Sequence, residues 1–188
     1  MKTYIEAGAN DGFFQSRSLD LSTNLEYQGI LIEPSLVEYE KCVKLRGNDR
    51  THIYNKCLVP FSHKEKTIKL NHSACSPAMN SVVPHGHLEY SRTQEVEATT
   101  LQSILDELNV QHVDAFFLDV EGYEYQVLQG IDFSCTTFSM IEIELHAHLL
   151  KIKRSEEIEM HEQFLSQFGY QMTAKNNEVQ PKIVFNLK

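Results

Sequence analysis

The 188-residue sequence lacks a strongly basic run, an apolar run of about 18 residues and the charged and apolar regions of a signal peptide. Its 17 Lys and Arg residues are outnumbered by 26 Asp and Glu residues, so the formal net charge is −9. Loose binding to nucleic acid or to anionic lipid relies on clustered positive charge. We therefore expect neither nucleic acid nor a membrane among the partners of this chain.

The four cysteines have no C-x-x-C spacing, and nothing else resembles a secreted disulfide scaffold. Two disulfides remain formally possible, but reduced thiols in a cytoplasmic protein fit the sequence better. The apolar fraction of 41% and the charged fraction of 23% are those of an ordinary globular protein. A chain of this length can bury one sizeable core, and it contains no internal repeat. We predict a single cytoplasmic domain over residues 1–188.

What the sequence does contain is an alternation of strand-like and helix-like segments, which predicts β-α-β units and a mostly parallel sheet. The predicted strands lie at about residues 3–7, 29–33, 52–59, 115–120 and 139–145. The predicted helices lie at about residues 13–25, 99–109, 123–129 and 155–168, with a further helix after Ser35. A last hairpin, 170–174 and 183–187 with its turn at Asn176-Asn177, gives this doubly wound sheet an antiparallel edge strand.

The helix after Ser35 begins with a capping-box pattern, because Glu38 follows Ser35 by three residues. We expect Leu36, Tyr39 and Val43 to form the apolar face of this helix.

Residues 60–98 are polar, and only two short pieces, 67–70 and 95–98, resemble strands. So long a stretch of little regular structure inside a compact domain is usually functional or disordered. We predict that it forms a lid or a substrate loop.

Carboxylates stand at the ends of the predicted strands, where sheets of this kind bind their ligands. The first strand ends in Glu6 and runs into a turn with Gly8 and Gly12, spaced G-x-N-x-G and not G-x-G-x-x-G as in dinucleotide binders. Glu33 ends the second strand, 21 residues after Gly12, where a carboxylate can accept hydrogen bonds from both hydroxyls of a ribose. Glu6 is costly to bury unless it holds a cation or donors, so we assign it to the ammonium side of a ligand. A tight turn without a ligand and a solvated Glu33 are the simpler alternatives.

Three motifs together resemble the FkbM family of S-adenosylmethionine-dependent methyltransferases: E-A-G-A-N-D-G at 6–12, I-L-I-E-P at 30–34 and F-L-D-V-E-G-Y-E at 117–124. The similarity extends from Tyr4 to about Leu145. It implies the Rossmann-like class I methyltransferase fold, an α/β fold whose doubly wound, mostly parallel seven-stranded sheet has an antiparallel C-terminal strand. It also implies S-adenosylmethionine in the crevice and O-methylation of a hydroxyl, often on a sugar or a polyketide-type product.

The resemblance also implies which residues bind the cofactor. Its methionine end would be lined by residues of the first turn: Glu6, Gly8, Asn10 and Gly12. Glu33 would take the ribose hydroxyls, and Pro34 would pack beside the adenosine. Cys57 and Leu58, at the end of the third strand, would approach the adenine.

Asp119 would lie beside the methyl-donor centre, and Glu121 would stand at the head of the following helix. Methyl transfer is an in-line displacement that requires the acceptor oxygen to be held near the methyl carbon. A hydroxyl is a poor nucleophile, so a general base would help. The candidates for catalysis are Asp119, Glu121, Glu144 and His146. We assign Asp119 first to the cofactor and His146 to the base, with a structural or solvated His146 as the alternative.

Metal binding is a further possibility in the sequence. Two pairs of histidines would each place two imidazoles on one face of a strand: His85 with His87, and His146 with His148. Asp119 with Glu144 could resemble the carboxylate cluster of magnesium-dependent O-methyltransferases, or simply belong to a strand with one polar face. Nothing in the sequence fixes a third ligand, so we expect no catalytic metal.

Methyltransferases of this fold often carry helices ahead of the first strand, whereas almost nothing precedes Tyr4 here. Either residues 60–98 cover the acceptor, or acceptor binding is incomplete. The leading hypothesis is O-methylation of a hydroxyl on a sugar, a glycan or another small metabolite. The alternatives are a catalytically silent methyltransferase-like module and a nicotinamide-dependent oxidoreductase, which the glycine spacing disfavours.

Overall fold

The structure, a computed structural model, describes residues 1–84, 86, 88–176 and 180–188. The strands found in these residues are β1 Lys2–Ala7, β2 Tyr27–Ile32, β3 Thr51–Tyr54, β4 Cys57–Leu58, β5 Thr67–Ser73, β6 Tyr90–Thr99, β7 His112–Val113, β8 Ala115–Leu118, β9 Thr137–Phe138, β10 Met140–Glu144, β11 Tyr170–Lys175 and β12 Lys182–Leu187. Asn177, predicted at the turn between β11 and β12, lies outside the described residues.

The helices of the same residues are α1 Leu19–Thr23, α2 Leu36–Arg46, α3 Leu101–Glu107, α4 Glu124–Leu128, α5 Ala147–Leu150 and α6 Arg154–Ser166, together with a 3-10 turn at Pro77–Met79. None of the helices in the described part of the chain combines the length and the apolar composition needed to cross a bilayer.

Seven strands form one sheet in the order β3-β2-β1-β8-β10-β12-β11. The pairs from β3 to β10 are parallel, and β12 runs antiparallel to both of its neighbours. The chain moves outward from β1 to β3 and then returns to β8 on the other side of β1. This confirms the predicted doubly wound, mostly parallel sheet with an antiparallel C-terminal strand. Its switch point lies at the carboxyl ends of β1 and β8, where such sheets bind ligands.

The central strands β1 and β8 are buried on both faces; β8 is apolar throughout, whereas β1 also buries Thr3 and Glu6. β8 is buried at every position and β1 at all but its first, a pattern that requires helices on both sides of the sheet. Ile5 and Phe116, both 0% exposed, belong to the larger cluster that also includes Leu101 of α3. Leu31 lies in a second cluster with Cys42 of α2. Each such apolar side chain contributes about 1.5–3 kcal/mol by its burial.

The helix predicted at residues 13–25 is wrong in its first half, because only α1 is helical. The side chain of Glu6 explains the difference. Its carboxylate accepts hydrogen bonds from Ser16 Oγ at 2.8 Å, Arg17 N at 2.7 Å and Ser18 Oγ at 2.6 Å. Bringing these three donors to the end of β1 replaces the first helical turns with an irregular loop.

The helix after Ser35 forms as α2, but the predicted apolar face is wrong. Leu36 and Val43 are exposed, and the residues that α2 buries have a spacing of four: Glu38, Cys42 and Arg46. The predicted capping box is not formed either, because the Ser35 side chain makes no cap hydrogen bond and Glu38 pairs with Lys41.

Residues 60–98 contain more regular structure than predicted. β5 and β6 pair antiparallel along their length, and β4 pairs in parallel with the end of β6. The predicted strand at 52–59 is therefore divided between the central sheet and a smaller three-stranded sheet. Few apolar side chains of this hairpin are buried, chiefly Leu70 and Val96, so its hydrophobic pattern is weak.

Candidate active site

The turn after β1 is the point at which three strand ends meet. Gly8, Asn10 and Gly12 have positive φ angles of 84°, 49° and 79°, a region that glycine enters at little steric cost. A Cβ on Gly8 would lie 1.7 Å from the carbonyl oxygen of Asp119. Only glycine therefore lets the turn pack against the end of β8. The N–H of Gly8 also donates to the carbonyl of Ile32 at 3.0 Å, which joins the turn to β2.

Glu33, directly after β2, holds the same turn through its side-chain carboxylate. It is 6% exposed; its Oε2 accepts from Asn10 N and its Oε1 from Ser35 N, both at 2.8 Å. Burial raises the pKa of Glu33 to about 7, although these two hydrogen bonds oppose the shift. A carboxylate offers about four acceptor positions, so Glu33 retains capacity for two ligand hydroxyls.

Arg46, in the last turn of α2, holds the far end of the turn. Nη1 donates to Gly12 O at 2.7 Å, and Nη2 donates to Ser18 Oγ at 3.0 Å and to Tyr4 Oη at 3.2 Å. A Cβ on Gly12 would collide with Cys42 and Arg46. Gly12 therefore serves the packing of the turn on α2.

A cluster of acids around His146 occupies the ends of β8 and β10. Nε2 of His146 is 3.1 Å from Asp119 Oδ1 and 3.5 Å from Glu124 Oε1, and Nδ1 is 3.7 Å from Glu121 Oε2. Glu124 Oε1 is itself fixed by the N–H groups of Val120 and Gly122. His146 is 4% exposed, whereas the side chain of Asp119 is 38% exposed. Asp119 therefore faces the ligand side, and His146 lies behind it.

The charges in this cluster shift one another's pKa values. Burial raises the pKa of Glu121 to about 8 and, together with the Asp119 charge, that of Glu144 to about 7. Burial by itself would lower the pKa of His146, but the carboxylates of Glu124, Asp119 and Glu121 outweigh it and raise that pKa to about 10. With these neighbours alone, His146 is an imidazolium at neutral pH and has no lone pair for a substrate proton. This speaks against the predicted role of His146 as general base.

A crevice lies at the carboxyl ends of β1, β2 and β8, the place where sheets of this kind bind ligands. Its floor is formed by the first turn with Glu33 and Asp119. Further lining comes from β4, from β5 and from the segment between β5 and β6: Cys57, Leu58, Leu70, Pro77, Ala78, Asn80 and Val82.

Residues 6–172 match the sequence model of the methyltransferase FkbM domain. The chain belongs to the FkbM methyltransferase family. This confirms the family predicted from the three motifs and, with it, S-adenosylmethionine as the cofactor. No curated protein matches the chain in sequence.

Two solved structures illustrate the likeness of this FkbM-family domain to methyltransferases. Methyltransferase FkbM from Methylobacillus flagellatus KT has a TM-score of 0.58 and 14% identity over 98% of the chain. The METTL16 methyltransferase domain has a TM-score of 0.54 and 10% identity over 100% of the chain. The chain spans 43% and 59% of the lengths of these two proteins. At such identities the likeness shows the fold, which is the predicted Rossmann-like methyltransferase fold.

Most of the site residues predicted for this FkbM-family domain line the one crevice: Glu6, Gly8, Asn10, Glu33, Pro34, Cys57, Leu58, Asp119 and Glu121. Gly12 and His146 do not line it. Glu6 does, but both of its oxygens already accept hydrogen bonds from residues 16–18.

Several residues of the site carry no recognisable signal in the sequence. Arg17 lines the crevice and forms an ion pair with Glu142 of β10, but it was placed inside a predicted helix. Arg46 was missed because a basic residue near the end of a helix is ordinarily solvated. No local signal marks the crevice residues of the β5–β6 segment, such as Pro77 and Asn80, because only the folding of that hairpin brings them to the site.

The possible metal ligands do not group in the structure as the sequence pairs suggested. His85 and His87 lie outside the described residues. His148 is exposed, with its ring centroid 6.2 Å from that of His146. The carboxylate pair of Asp119 and Glu144 is joined by His146, since one ligand atom from each of the three side chains lies within 4.8 Å of the other two.

Proposed function

We propose that this domain transfers the methyl group of S-adenosylmethionine to a hydroxyl oxygen of a sugar, a glycan or another small metabolite. The observation that carries the proposal is the buried carboxylate of Glu33, which lies across the glycine turn from the half-exposed carboxylate of Asp119. The first offers acceptors to ribose hydroxyls, and the second offers negative charge to a sulfonium centre. Membership of the FkbM family supports methyl transfer as the chemistry.

In the proposed complex, Glu33 binds the ribose, and Pro34, Cys57 and Leu58 enclose the adenine. The methionine end lies along the Gly8–Asn10 turn. We do not assign the ammonium group to Glu6, because the three hydrogen bonds that its carboxylate accepts already offset its charge. Glu6 instead fixes the loop that brings Arg17 to the crevice.

For the reaction we propose that Asp119 and Glu121 are the side chains that contact the reacting groups, and that His146 positions Asp119. The acceptor oxygen attacks the methyl carbon in line, so that the new C–O bond forms as the C–S bond breaks. The hydroxyl proton passes to the ionised form of Glu121, whose pKa of about 8 suits a general base near neutral pH, and S-adenosylhomocysteine leaves. Holding the acceptor oxygen in line with the methyl group is the main contribution of the domain to the rate.

Residues 60–98 are proposed to form the acceptor side of the crevice within a single domain. Leu70, Pro77 and Asn80 support this, because they line the crevice. A cytoplasmic location stays a prediction.

Isothermal titration with S-adenosylhomocysteine tests the cofactor assignment, with NADH as the comparison ligand. Binding of the first and not of the second is expected; the reverse would refute the assignment. Transfer of a labelled methyl group onto a panel of glycans and hydroxylated metabolites then tests the activity. A domain that binds S-adenosylhomocysteine and methylates no hydroxyl compound in that panel would instead fit the silent module.

A further inference from the structure

Asp119, Glu144 and His146 converge beside the crevice, at the carboxyl ends of β8 and β10. One ligand atom from each side chain lies within 4.8 Å of the other two, and His146 Nε2 is 3.1 Å from Asp119 Oδ1. Within the residues that the structure describes, this is the one group of three or more His, Cys, Asp or Glu side chains with such an arrangement. Two carboxylates and one imidazole form a ligand set suited to a divalent metal.

Glu144 is the member of this group that the chain leaves without a donor. It is 8% exposed, and among the described residues none donates a hydrogen bond to its carboxylate, so only the nearby charges of His146 and Arg17 offset its own. The other buried acids at this end of the sheet, Glu6, Glu33 and Glu124, each accept at least two hydrogen bonds. Arg17 forms its ion pair with Glu142, two residues earlier. A buried carboxylate without donors is costly unless a cation neutralises it.

His146 has the surroundings of a metal-binding histidine. Its backbone N–H donates to Glu157 Oε1 at 2.8 Å, and its Nδ1 faces the carboxylate of Glu121 at 3.7 Å. A carboxylate behind one ring nitrogen orients the ring and leaves the other nitrogen for a metal ion. Four carboxylates surround this one imidazole: Asp119, Glu121, Glu124 and Glu144.

We propose that Asp119, Glu144 and His146 bind a divalent cation of the Mn²⁺ or Zn²⁺ class. Metal–ligand bonds of about 2.0–2.2 Å place neighbouring ligand atoms about 3 Å apart. Small side-chain rotations would therefore bring the three ligand atoms from within 4.8 Å of one another to that distance. An imidazole ligand favours these ions over Mg²⁺ and Ca²⁺, which prefer oxygen ligands alone. Because Asp119 lines the crevice, the remaining coordination positions of the ion face the acceptor side.

The role of this ion rests on the proposed function and makes it more specific. An acceptor hydroxyl bound to the ion has a lower pKa, and its proton passes to Glu121. The oxygen lone pair then forms the C–O bond while the electron pair of the C–S bond returns to sulfur, which leaves neutral S-adenosylhomocysteine. Binding of the ion itself does not depend on this chemistry.

The test is a titration of the domain, stripped with EDTA, with MnCl₂ and ZnCl₂, using MgCl₂ and CaCl₂ for comparison. We expect one equivalent of Mn²⁺ or Zn²⁺ to bind. Glu144→Gln removes the charge at almost constant volume and should lower this affinity by more than about 100-fold, since loss of an outer partner alone costs about 10–100-fold. Glu142→Gln is the matched control on the same face of β10 and should leave the affinity unchanged. Asp119→Asn is the second variant, at a half-exposed side chain.

The metal site would be overturned if Glu144→Gln bound Mn²⁺ or Zn²⁺ as tightly as the wild type. It would also be overturned if Glu144→Gln and Glu142→Gln lost the same affinity for these ions. Binding of S-adenosylhomocysteine to the stripped wild type and to each variant is measured in parallel. Thermal unfolding shows that each variant is folded, and the binding of S-adenosylhomocysteine tests the cofactor site separately. Cofactor binding without metal binding overturns the metal site alone, whereas metal binding without cofactor binding supports the metal site and overturns the proposed function.

Discussion

Replacement of Glu33 by glutamine tests the ribose contact on which the cofactor assignment depends. Alanine is a poor choice at this position, because it would leave the buried N–H groups of Asn10 and Ser35 without acceptors, at a cost of about 1–3 kcal/mol each. Glutamine keeps the volume and one carbonyl oxygen. It removes the negative charge and one acceptor oxygen, so the hydrogen bonds to the ribose weaken and only one of the two N–H groups, of Asn10 or of Ser35, loses its acceptor.

A hydrogen bond to a charged group contributes about 1.5–3 kcal/mol. Loss of one such bond corresponds to an affinity lower by roughly 10-fold to 150-fold, because each 1.4 kcal/mol is a factor of ten. Isothermal titration with S-adenosylhomocysteine measures this loss of affinity. The titration is done at pH 8, where the wild-type Glu33, with its pKa of about 7, is ionised. Glu38→Gln is the matched control, since Glu38 is a buried acid of α2 that pairs with Lys41 outside the crevice.

The pH dependence of the affinity for S-adenosylhomocysteine is a second test of the contact between Glu33 and the ribose. The ionised carboxylate is the better acceptor, so wild-type affinity should rise as the pH passes from 6 through 7 to 8. The part of this rise that Glu33 causes should vanish in Glu33→Gln and persist in Glu38→Gln. A folded Glu33→Gln protein with wild-type affinity at pH 8 would refute the ribose assignment.

Three further predictions concern stability. Gly8→Ala should destabilise the domain by about 2–4 kcal/mol in urea unfolding, through the positive φ and the close carbonyl of Asp119, whereas Gly86→Ala, whose Cβ would make only an ordinary contact with the end of the Lys151 side chain at 3.6 Å, should change little. Arg46→Met should cost about 3 kcal/mol and weaken S-adenosylhomocysteine binding, because it releases the glycine turn, while the exposed Lys44→Met should do neither. His161→Leu should flatten the loss of stability between pH 6.5 and pH 4, measured by thermal unfolding.

The sign of the last prediction follows from the burial of His161, which lowers its pKa to about 4 from the usual 6.5. The unfolded chain takes up a proton near pH 6.5 and the folded chain only near pH 4. Stability is therefore full above pH 6.5 and falls by about 3 kcal/mol as the pH drops through that window. Neither ring nitrogen has a partner among the described residues, so leucine should not lower stability at pH 7. An unchanged pH slope in His161→Leu would contradict this account.

The strand ends could be predicted from the sequence because long apolar runs mark the central strands. Glu33 and Asp119 follow such runs directly, and their arrival at one edge is a consequence of parallel pairing alone. The face of α2 could not be predicted, because Arg46 and Glu38 are residues that a periodicity analysis places in solvent. Their burial depends on partners from distant segments, such as Tyr4 and Ser18.

The sequence raised Asp119 with Glu144 as a possible carboxylate cluster, but it could not add His146 as the third member. The convergence of the three side chains requires the parallel pairing of β10 with β8 and the hydrogen bond that fixes the His146 backbone on Glu157. These contacts join β10 to β8 and His146 to α6. No spacing of residues within one of these segments predicts them. The hairpin of β5 and β6 was underestimated for a different reason, since it buries too little apolar surface to produce a clear alternation.

The glycine turn is attached to both ends of one helix. The carboxylate of Glu33 accepts hydrogen bonds from Asn10 of the turn and from Ser35, the residue directly before α2. Arg46 in the last turn of α2 donates to the carbonyl of Gly12. The loop that would receive the cofactor is thus already rigid before any ligand arrives, and binding spends little conformational entropy on ordering it. Fraying of α2 at either end would loosen the turn, so the stability of the helix ends and the affinity for the cofactor should vary together across substitutions at Ser35 and Arg46.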